Sequence, residues 1–302
     1  MKILAVDLGQ SGARIRIENQ DFTSNRAKLA GEDPIDSLRA IFVELPKLQC
    51  EIATLSLTGF NGIVTDENRY AALCNEFFGA KSTLVIDDGL AGYIGTLGGR
   101  SGVTILIGSG VVSVGGKNGI FSHLDGLGSI FGDEGSGYWL GKHALTRALA
   151  TEEDRDSNTE LLRMMQDEVT EFHALKSKNG VEAATLAIKS AKSLLVAADA
   201  GNYQATEIRD QGAILLAKTV CATWRGVDGR SDEELEVVIN GGLARNLGYY
   251  NQIKSEVLKE LPKAKFVQPE GDNLSGAIWL AENMSKDAPP MMRWARIQKS
   301  NQ

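Results

Sequence analysis

The sequence contains few of the residues that build disulfide frameworks, and it lacks long apolar runs. Three cysteines occur among 302 residues and none forms a CxxC pair: they are Cys50, Cys74 and Cys221. This spacing predicts reduced, buried thiols. Nowhere do about 18 apolar residues follow one another, and the opening MKILAVDLGQ reaches an acid at Asp7, so neither a membrane span nor a signal peptide is expected. We therefore expect a cytoplasmic protein without a membrane partner.

Basic residues are also fewer than acidic ones, and the net charge is -7. This argues against a nucleic-acid surface. An acidic chain can still bind phosphates where backbone N–H groups, helix N-termini and a metal ion supply the positive field. HExxH, GxSxG and Walker A motifs do not occur, and the three histidines lie too far apart to predict a metal site.

The strand and helix patterns alternate along the chain and favour an α/β class with a mixed sheet in each half. Residues 2–17 predict a β-hairpin, and residues 102–121 repeat that pattern, which indicates a weak internal duplication. We predict an N-terminal lobe over residues 1–101 and a C-terminal lobe over 102–283. A helical insertion is expected at about 138–225, and a last helix at about 284–302 could pack back on the first lobe.

Four glycine-rich turns follow apolar runs or precede a helix: DLGQSG (7–12), IGSG (107–110), GDEGSG (132–137) and NGG (240–242). Each alone is typical of an ordinary turn. Together they indicate a shared ligand, because turns lined with N–H groups can hold phosphate oxygens without a lysine. An acid at the first turn can hold a hydrated Mg²⁺ that bridges those phosphates.

Two adjacent acids, Asp87 and Asp88, end the predicted strand STLVID. One of them is well placed to cap the following helix. Adjacent side chains of an extended chain point to opposite faces, so only one of the two can enter a central cleft. A carboxylate near a sugar hydroxyl is the usual general base for phosphoryl transfer.

These motifs and their order resemble those of the actin/hexokinase/Hsp70 ATPase superfamily over residues 2–283. VDLGQSGARIRI resembles its first phosphate loop (DGGGTKT), TILIGSGVVSVG its second, and VVINGGLARN its adenosine loop. GDEGSGYWLG and PEGDNLSGAIWLA resemble segments of the branch that contains N-acetylglucosamine kinases and BadF/BadG/BcrA/BcrD ATPases. The resemblance implies a two-lobed, ribonuclease H-like (actin-like ATPase) fold with an ATP cleft between the lobes, and it also implies a homodimer.

The resemblance also implies roles for individual residues. Asp7 would organise Mg²⁺ and Asp88 would be the general base. The phosphates of ATP would be bound by the first two turns, which comprise Gly9, Gln10, Ser11, Gly12, Gly108, Ser109 and Gly110. The adenine would lie against Gly241 and Gly242. The sugar pocket would be lined by Asp87, Ser109, Gly126, Leu127, Asp133 and Gly137.

Several positions depart from the family pattern. The usual GTGS is GSGV here, an Asn that contacts sugar in mammalian N-acetylglucosamine kinases is Val112, and the Trp of GGWG is Leu127. Asp87 takes the place of the Asn in V-x-N-D-A. Because a site that hydrogen-bonds a substrate group discriminates strongly, the lost polar contacts leave glucosamine, glucose and other amino sugars open as acceptors.

The sequence therefore predicts an ATP- and Mg²⁺-dependent kinase acting on an amino sugar such as N-acetylglucosamine or glucosamine, at its 6-hydroxyl. Two alternatives remain open within the same superfamily. One is an ATPase that activates another protein, as in activators of acyl-CoA dehydratases, although the scattered cysteines offer no iron–sulfur motif. The other is a regulatory ATP-binding protein without kinase activity.

Overall fold

The computed structural model describes residues 1–10, 12–28, 32–284 and 289–297. The chain divides into two compact units. Unit 1 comprises residues 1–102, 116–123 and 268–302, and unit 2 comprises 103–115 and 124–267.

Unit 1 is built on a six-stranded mixed sheet with the order β11-β5-β4-β1-β2-β3. The strands are β1 (Ile3–Gly9), β2 (Gly12–Ile17), β3 (Gln20–Ser24), β4 (Ile52–Leu57), β5 (Ser82–Asp87) and β11 (Met292–Arg296). The helices are α1 (Pro34–Glu44), α2 (Glu67–Phe78), α3 (Asp88–Leu97) and α10 (Asn273–Asn283). Strands β1, β4 and β5 are parallel, whereas β2, β3 and β11 pair antiparallel. The parallel strands are almost entirely buried, which explains their continuous apolar runs.

The second sheet has five strands in the order β10-β9-β6-β7-β8. They are β6 (Gly102–Ile107), β7 (Val111–Lys117), β8 (Ile120–Asp125), β9 (Leu235–Asn240) and β10 (Ala264–Phe266). The helices of unit 2 are α4 (Gly137–Glu152), α5 (Thr159–Met164), α6 (Gln166–Ala174), α7 (Val181–Asp199), α8 (Tyr203–Arg225) and α9 (Leu247–Glu260). A short 3-10 turn, Leu243–Arg245, follows β9.

Close helix packing depends on glycine at two crossings. In unit 1, a Cβ at Gly276 of α10 would lie 1.9 Å from the Ala91 carbonyl oxygen of α3. In unit 2, a Cβ at Gly141 of α4 would lie 1.7 Å from the Ala187 carbonyl oxygen of α7. Real Cβ atoms do not approach this closely, so these backbones touch only because the side chain is absent.

The predicted α/β class with a mixed sheet in each half is confirmed. Two parts of the predicted organisation are wrong. Residues 116–123 and 268–283 belong to unit 1 rather than to a C-terminal lobe, the second segment because α10 packs on α3. The predicted helix at about 284–302 is not found where that region is described, since Met292–Arg296 is a strand that pairs with β5; residues 285–288 and 298–302 of that prediction lie outside the described part of the chain.

The three cysteines are free and buried, as the sequence predicted. Within the described ranges, none of the helices combines the length and apolar character that crossing a membrane requires.

Candidate active site

The two adjacent acids lie where β5 ends and α3 begins. Asp87 caps the helix, since its Oδ1 accepts a hydrogen bond from the Gly89 N–H at 3.0 Å. Asp88 is the first residue of α3. Asp87 has an extended backbone (φ -62°, ψ 130°), whereas Asp88 already belongs to the helix.

Asp88 is only partly accessible to solvent, and its surroundings favour the protonated form. Burial, together with the negative charges of Asp87 and Asp7, raises the pKa of the Asp88 carboxyl to about 7, although a hydrogen bond with Thr58 and the charge of His123 oppose the shift. A carboxyl group whose pKa lies near neutrality can take a proton from a hydroxyl group and later release it.

Asp7 lies at the end of β1, at the same level as the acids that end β5. It is in register with Ser56 of β4, and Ser56 is in register with Ile86. Neighbouring strands lie about 4.8 Å apart, so the carboxyl ends of β1 and β5 face the same edge of the sheet. The Asp7 carboxylate accepts hydrogen bonds from the Ser56 hydroxyl at 3.0 Å and from the Asn273 amide at 3.0 Å.

An arginine on β2 links Asp7 to the start of α10. Arg14 is paired with Asp7 across the hairpin, and its Nη2 donates to Asp7 Oδ2 at 2.7 Å. Its Nη1 donates to Asp272 Oδ2 at 2.8 Å. Asp272 also caps α10 through Ser275. The sequence analysis missed Arg14, Asp272 and Asn273, although the hairpin register and the DNLS capping pattern were available signals.

The first turn connects β1 to β2. The Gly9 carbonyl oxygen accepts from the Lys28 N–H at 3.0 Å, and Gln10 is exposed. Gly12 adopts φ +142°, and a Cβ there would lie 2.8 Å from the Ser24 carbonyl oxygen, so this position requires glycine. The predicted phosphate-binding residue Ser11 lies outside the described residues.

In unit 2, the second turn is held against the start of α4. The Gly137 N–H donates to the Gly108 carbonyl oxygen at 2.9 Å, and the Tyr138 N–H donates to the Ser109 carbonyl oxygen at 3.2 Å. Ser136 caps α4 by accepting from the Trp139 N–H. The N–H groups that open α4 are therefore used by carbonyl oxygens of the second turn and by the Ser136 cap, which joins the turn firmly to the helix.

Asp133 is buried beside that second turn. Its Oδ1 accepts from the Val111 N–H at 2.8 Å, and a Cβ at Gly110 would lie 2.6 Å from the same oxygen. Burial raises the pKa of the Asp133 carboxyl; the Val111 hydrogen bond opposes this shift and the charge of Asp125 adds to it. The Asp133 N–H donates to Asp125 Oδ1 at 2.9 Å. One clear task of Asp133 is thus to hold the GDEGSG segment (residues 132–137), called the acid–glycine loop below, to the second turn.

The remaining predicted residues of unit 2 lie along the same edge. Gly126 donates its N–H to the Val111 carbonyl oxygen at 2.8 Å, whereas the Leu127 side chain is 62% exposed. Gly241 adopts φ +104°, and a Cβ there would lie 2.4 Å from the Ile107 carbonyl oxygen at the end of β6. Gly242 has open space around its Cα. Within unit 2 the second turn, the acid–glycine loop and the NGG turn are therefore brought together.

The match to known sequences decides which family this is. Residues 3–281 match the sequence model of the BadF/BadG/BcrA/BcrD ATPase family. The chain belongs to this ATPase family.

Relatives of this ATPase family member include sugar kinases. An N-acetylmuramic acid/N-acetylglucosamine kinase from Clostridium acetobutylicum is 26% identical over 212 residues, which cover 66% of this chain and 67% of that protein. A Chromobacterium violaceum structure provisionally assigned as an N-acetylglucosamine kinase aligns with a TM-score of 0.68 at 21% identity, covering 92% of this chain and 98% of that one. A ROK family glucokinase from Streptomyces griseus, bound to glucose and AMPPNP, gives a TM-score of 0.56 at 15% identity, covering 93% and 98%. These structures establish the shared fold.

Proposed function

We propose that this ATPase family member is an ATP-dependent sugar kinase that phosphorylates an amino sugar. The observation that carries the proposal is the Asp88 carboxyl at the start of α3, whose pKa is raised to about 7 in the neighbourhood of Asp7. The 26% identical relative is named for N-acetylmuramic acid and N-acetylglucosamine, which supports an acceptor of that chemical class.

In the proposed reaction, Asp88 takes the proton from the acceptor hydroxyl, for which we propose the 6-hydroxyl, and that oxygen forms a bond to the γ-phosphorus of ATP. The bond between the γ-phosphorus and the β,γ-bridging oxygen breaks, and ADP leaves. Catalysis of this kind relies mainly on positioning and electrostatic stabilisation. The N–H groups of the turns at Gly9–Gly12 and Gly108–Gly110 would bind the phosphates, and Asp133 would accept from sugar hydroxyls.

The Asp7 carboxylate is the group at this edge that would hold a magnesium ion, in exchange for its ion pair with Arg14. Mg²⁺ bound with a nucleotide commonly uses one or two carboxylates besides phosphate oxygens and water. Asp7 offers a carboxylate beside the Ser56 hydroxyl. Among the residues that the structure describes, no group of three or more His, Cys, Asp and Glu side chains could hold a metal, so the ion would depend on the nucleotide and water for its other ligands. When bound, Mg²⁺ would neutralise part of the polyphosphate charge.

The test is coupled ADP release measured with N-acetylglucosamine, N-acetylmuramic acid, glucosamine and glucose. We expect either the N-acetylated sugars or glucosamine to stimulate turnover well above basal hydrolysis. Phosphorus–proton NMR of the product should then identify the phosphorylated oxygen. Asp88→Asn should lower kcat by about 10²- to 10⁴-fold, the usual contribution of a general base, while ADP binding measured by calorimetry is retained.

Two results would contradict the proposal. Hydrolysis that no sugar stimulates would favour an activator ATPase or a regulatory ATP-binding protein. Sugar-dependent turnover that survives Asp88→Asn would remove the assigned general base.

A further inference from the structure

A histidine on β8 lies against the acid that precedes the proposed general base. His123 Nε2 is 3.5 Å from Asp87 Oδ1, and the two side chains are 11% and 1% exposed. The histidine ring also covers Gly62, where a Cβ would lie 3.2 Å from His123 Cβ and Cγ. Residues 116–123 belong to unit 1, so His123, Gly62 and Asp87 are parts of one compact unit.

Both carboxylate oxygens of Asp87 are used in this arrangement. Oδ1 accepts from the Gly89 N–H at 3.0 Å and faces His123, while Oδ2 accepts from the Gly62 N–H at 3.0 Å. An asparagine, which has one oxygen and one NH₂ group, would place a donor against one of these N–H groups. The arrangement therefore requires an aspartate at position 87, and a buried carboxylate is stabilised by a cationic or N–H partner.

The Asp87 carboxylate joins two segments that flank Asp88. One is the first turn of α3, through Gly89, and the other is the loop at residues 58–62, through Gly62. Thr58 at the start of that loop hydrogen-bonds Asp88. Movement of the Asp87 carboxylate would thus displace both the backbone that carries Asp88 and the hydroxyl that contacts it.

We infer that His123 is a positioning residue for Asp88, acting through Asp87, which it holds between α3 and the 58–62 loop. The inference rests on the proposed kinase function for its effect on turnover. The pairing of an aspartate at 87 with a histidine at 123 replaces the asparagine expected from the family pattern. His123 does not contact the acceptor in this assignment, so its loss affects the placement of the base and leaves nucleotide binding intact.

The test is a double-mutant cycle with His123→Ala, Asp87→Asn and the combined variant. We expect His123→Ala to lower kcat on the order of 10-fold with the KM for ATP unchanged, because a small misplacement of a reacting group is costly. In the Asp87→Asn background the same change should have little further effect. His123→Gln, whose amide N–H can still reach Asp87, should recover part of kcat, and it carries the test if His123→Ala does not fold.

The matched control is His143→Ala, since His143 lies in unit 2 and stacks on Trp139 with ring centroids 4.0 Å apart. We expect it to leave kcat unchanged. Equal losses from His123→Ala with and without Asp87→Asn, or an unchanged kcat, would overturn the inference. If the wild-type protein shows no sugar-dependent turnover, the proposed function fails. Thermal unfolding of wild type, His123→Ala, Asp87→Asn and the combined variant then tests the pair by itself. If the two single losses of melting temperature simply add in the combined variant, His123 does not hold Asp87, and the inference is overturned as well.

Discussion

At the scale of single residues, Asp88 combines two demands that conflict. As the proposed general base it has to ionise, yet its burial and the nearby charges of Asp87 and Asp7 favour the protonated carboxyl. The compromise is a pKa of about 7, which makes the group sensitive to pH where most other carboxyl groups are fully ionised.

Turnover should therefore depend on pH near neutrality. The pKa of Asp88 is about 7, so we expect kcat/KM for the sugar to fall about tenfold per pH unit below that value and to level off above it. The measurement is the pH–rate profile of sugar-stimulated ADP release with saturating nucleotide. A profile without an acid limb between pH 5 and roughly 8 would contradict the role of Asp88.

Ionisation of Asp88 should raise turnover but lower the stability of the folded protein. Because the folded-state pKa is raised, the folded protein binds this proton more tightly than the unfolded chain. The resulting stability is fully present below the ordinary carboxyl pKa of about 4 and is lost as the pH rises through about 7. Asp88→Asn, which cannot ionise, should thus gain in melting temperature relative to wild type between pH 5 and 8. A constant difference across that range would contradict the raised pKa.

At the scale of elements, the site depends on backbones that approach closely. The second turn follows β6, the acid–glycine loop precedes α4, and both touch through Gly110 and Asp133. The contact leaves no room for a side chain at position 110, where a Cβ would lie 2.6 Å from Asp133 Oδ1. The glycine at position 108 differs, since nothing lies within 4 Å of a Cβ placed there.

These two glycines give a matched pair of variants. Gly110→Ala should lower the free energy of unfolding by about 1–3 kcal/mol, the usual cost of overpacking, because the Val111 N–H fixes the Asp133 carboxylate. Gly108→Ala should leave stability within about 0.5 kcal/mol of wild type. If the turn binds phosphates, Gly108→Ala should still weaken ADP binding, since the methyl group would occupy the space of the ligand. Thermal unfolding and calorimetry separate the two effects, and equal destabilisation would argue against this assignment.

At the scale of the whole molecule, each unit encloses its own apolar core, and the cysteines lie within them. Burial raises the pKa of the Cys50 thiol to about 11 and those of Cys74 and Cys221 to about 12. The reactive thiolate is therefore scarce at neutral pH. Homodimer formation stays a prediction, which sedimentation would measure.

We expect the native protein to be inert to a thiol reagent such as Ellman's. At pH 8 essentially no cysteine should react within minutes, whereas all three should react in 6 M guanidinium, because unfolding restores ordinary thiol pKa values and access. Kinase activity should likewise survive brief treatment with the reagent. Rapid reaction of one thiol in the native state would show that a core opens locally.

The sequence alone was sufficient for many of the elements and turns, although not for the strand β11. The pattern of residues 2–17 predicted the hairpin of β1 and β2, and STLVID predicted β5. The glycines of the NGG and DLGQSG turns marked positions such as Gly241 and Gly12 where the backbone allows no side chain. These features are local, because periodicity and the freedom of glycine are set by neighbouring residues. The family resemblance was equally accessible, since it rests on motif order.

Only the tertiary structure decided how distant residues combine. The Arg14 guanidinium, which the hairpin register places beside Asp7, also reaches Asp272 far along the chain, and His123 meets Asp87; no local pattern reports these two distant contacts. The strand Met292–Arg296 is another case, because its pairing with β5 depends on an edge formed about 200 residues earlier, and a hydrogen-bonding edge overrides weak local preference. The sequence determines which chemical groups are present, whereas the burial and neighbouring charges that shift the pKa of a group such as Asp88 arise from packing.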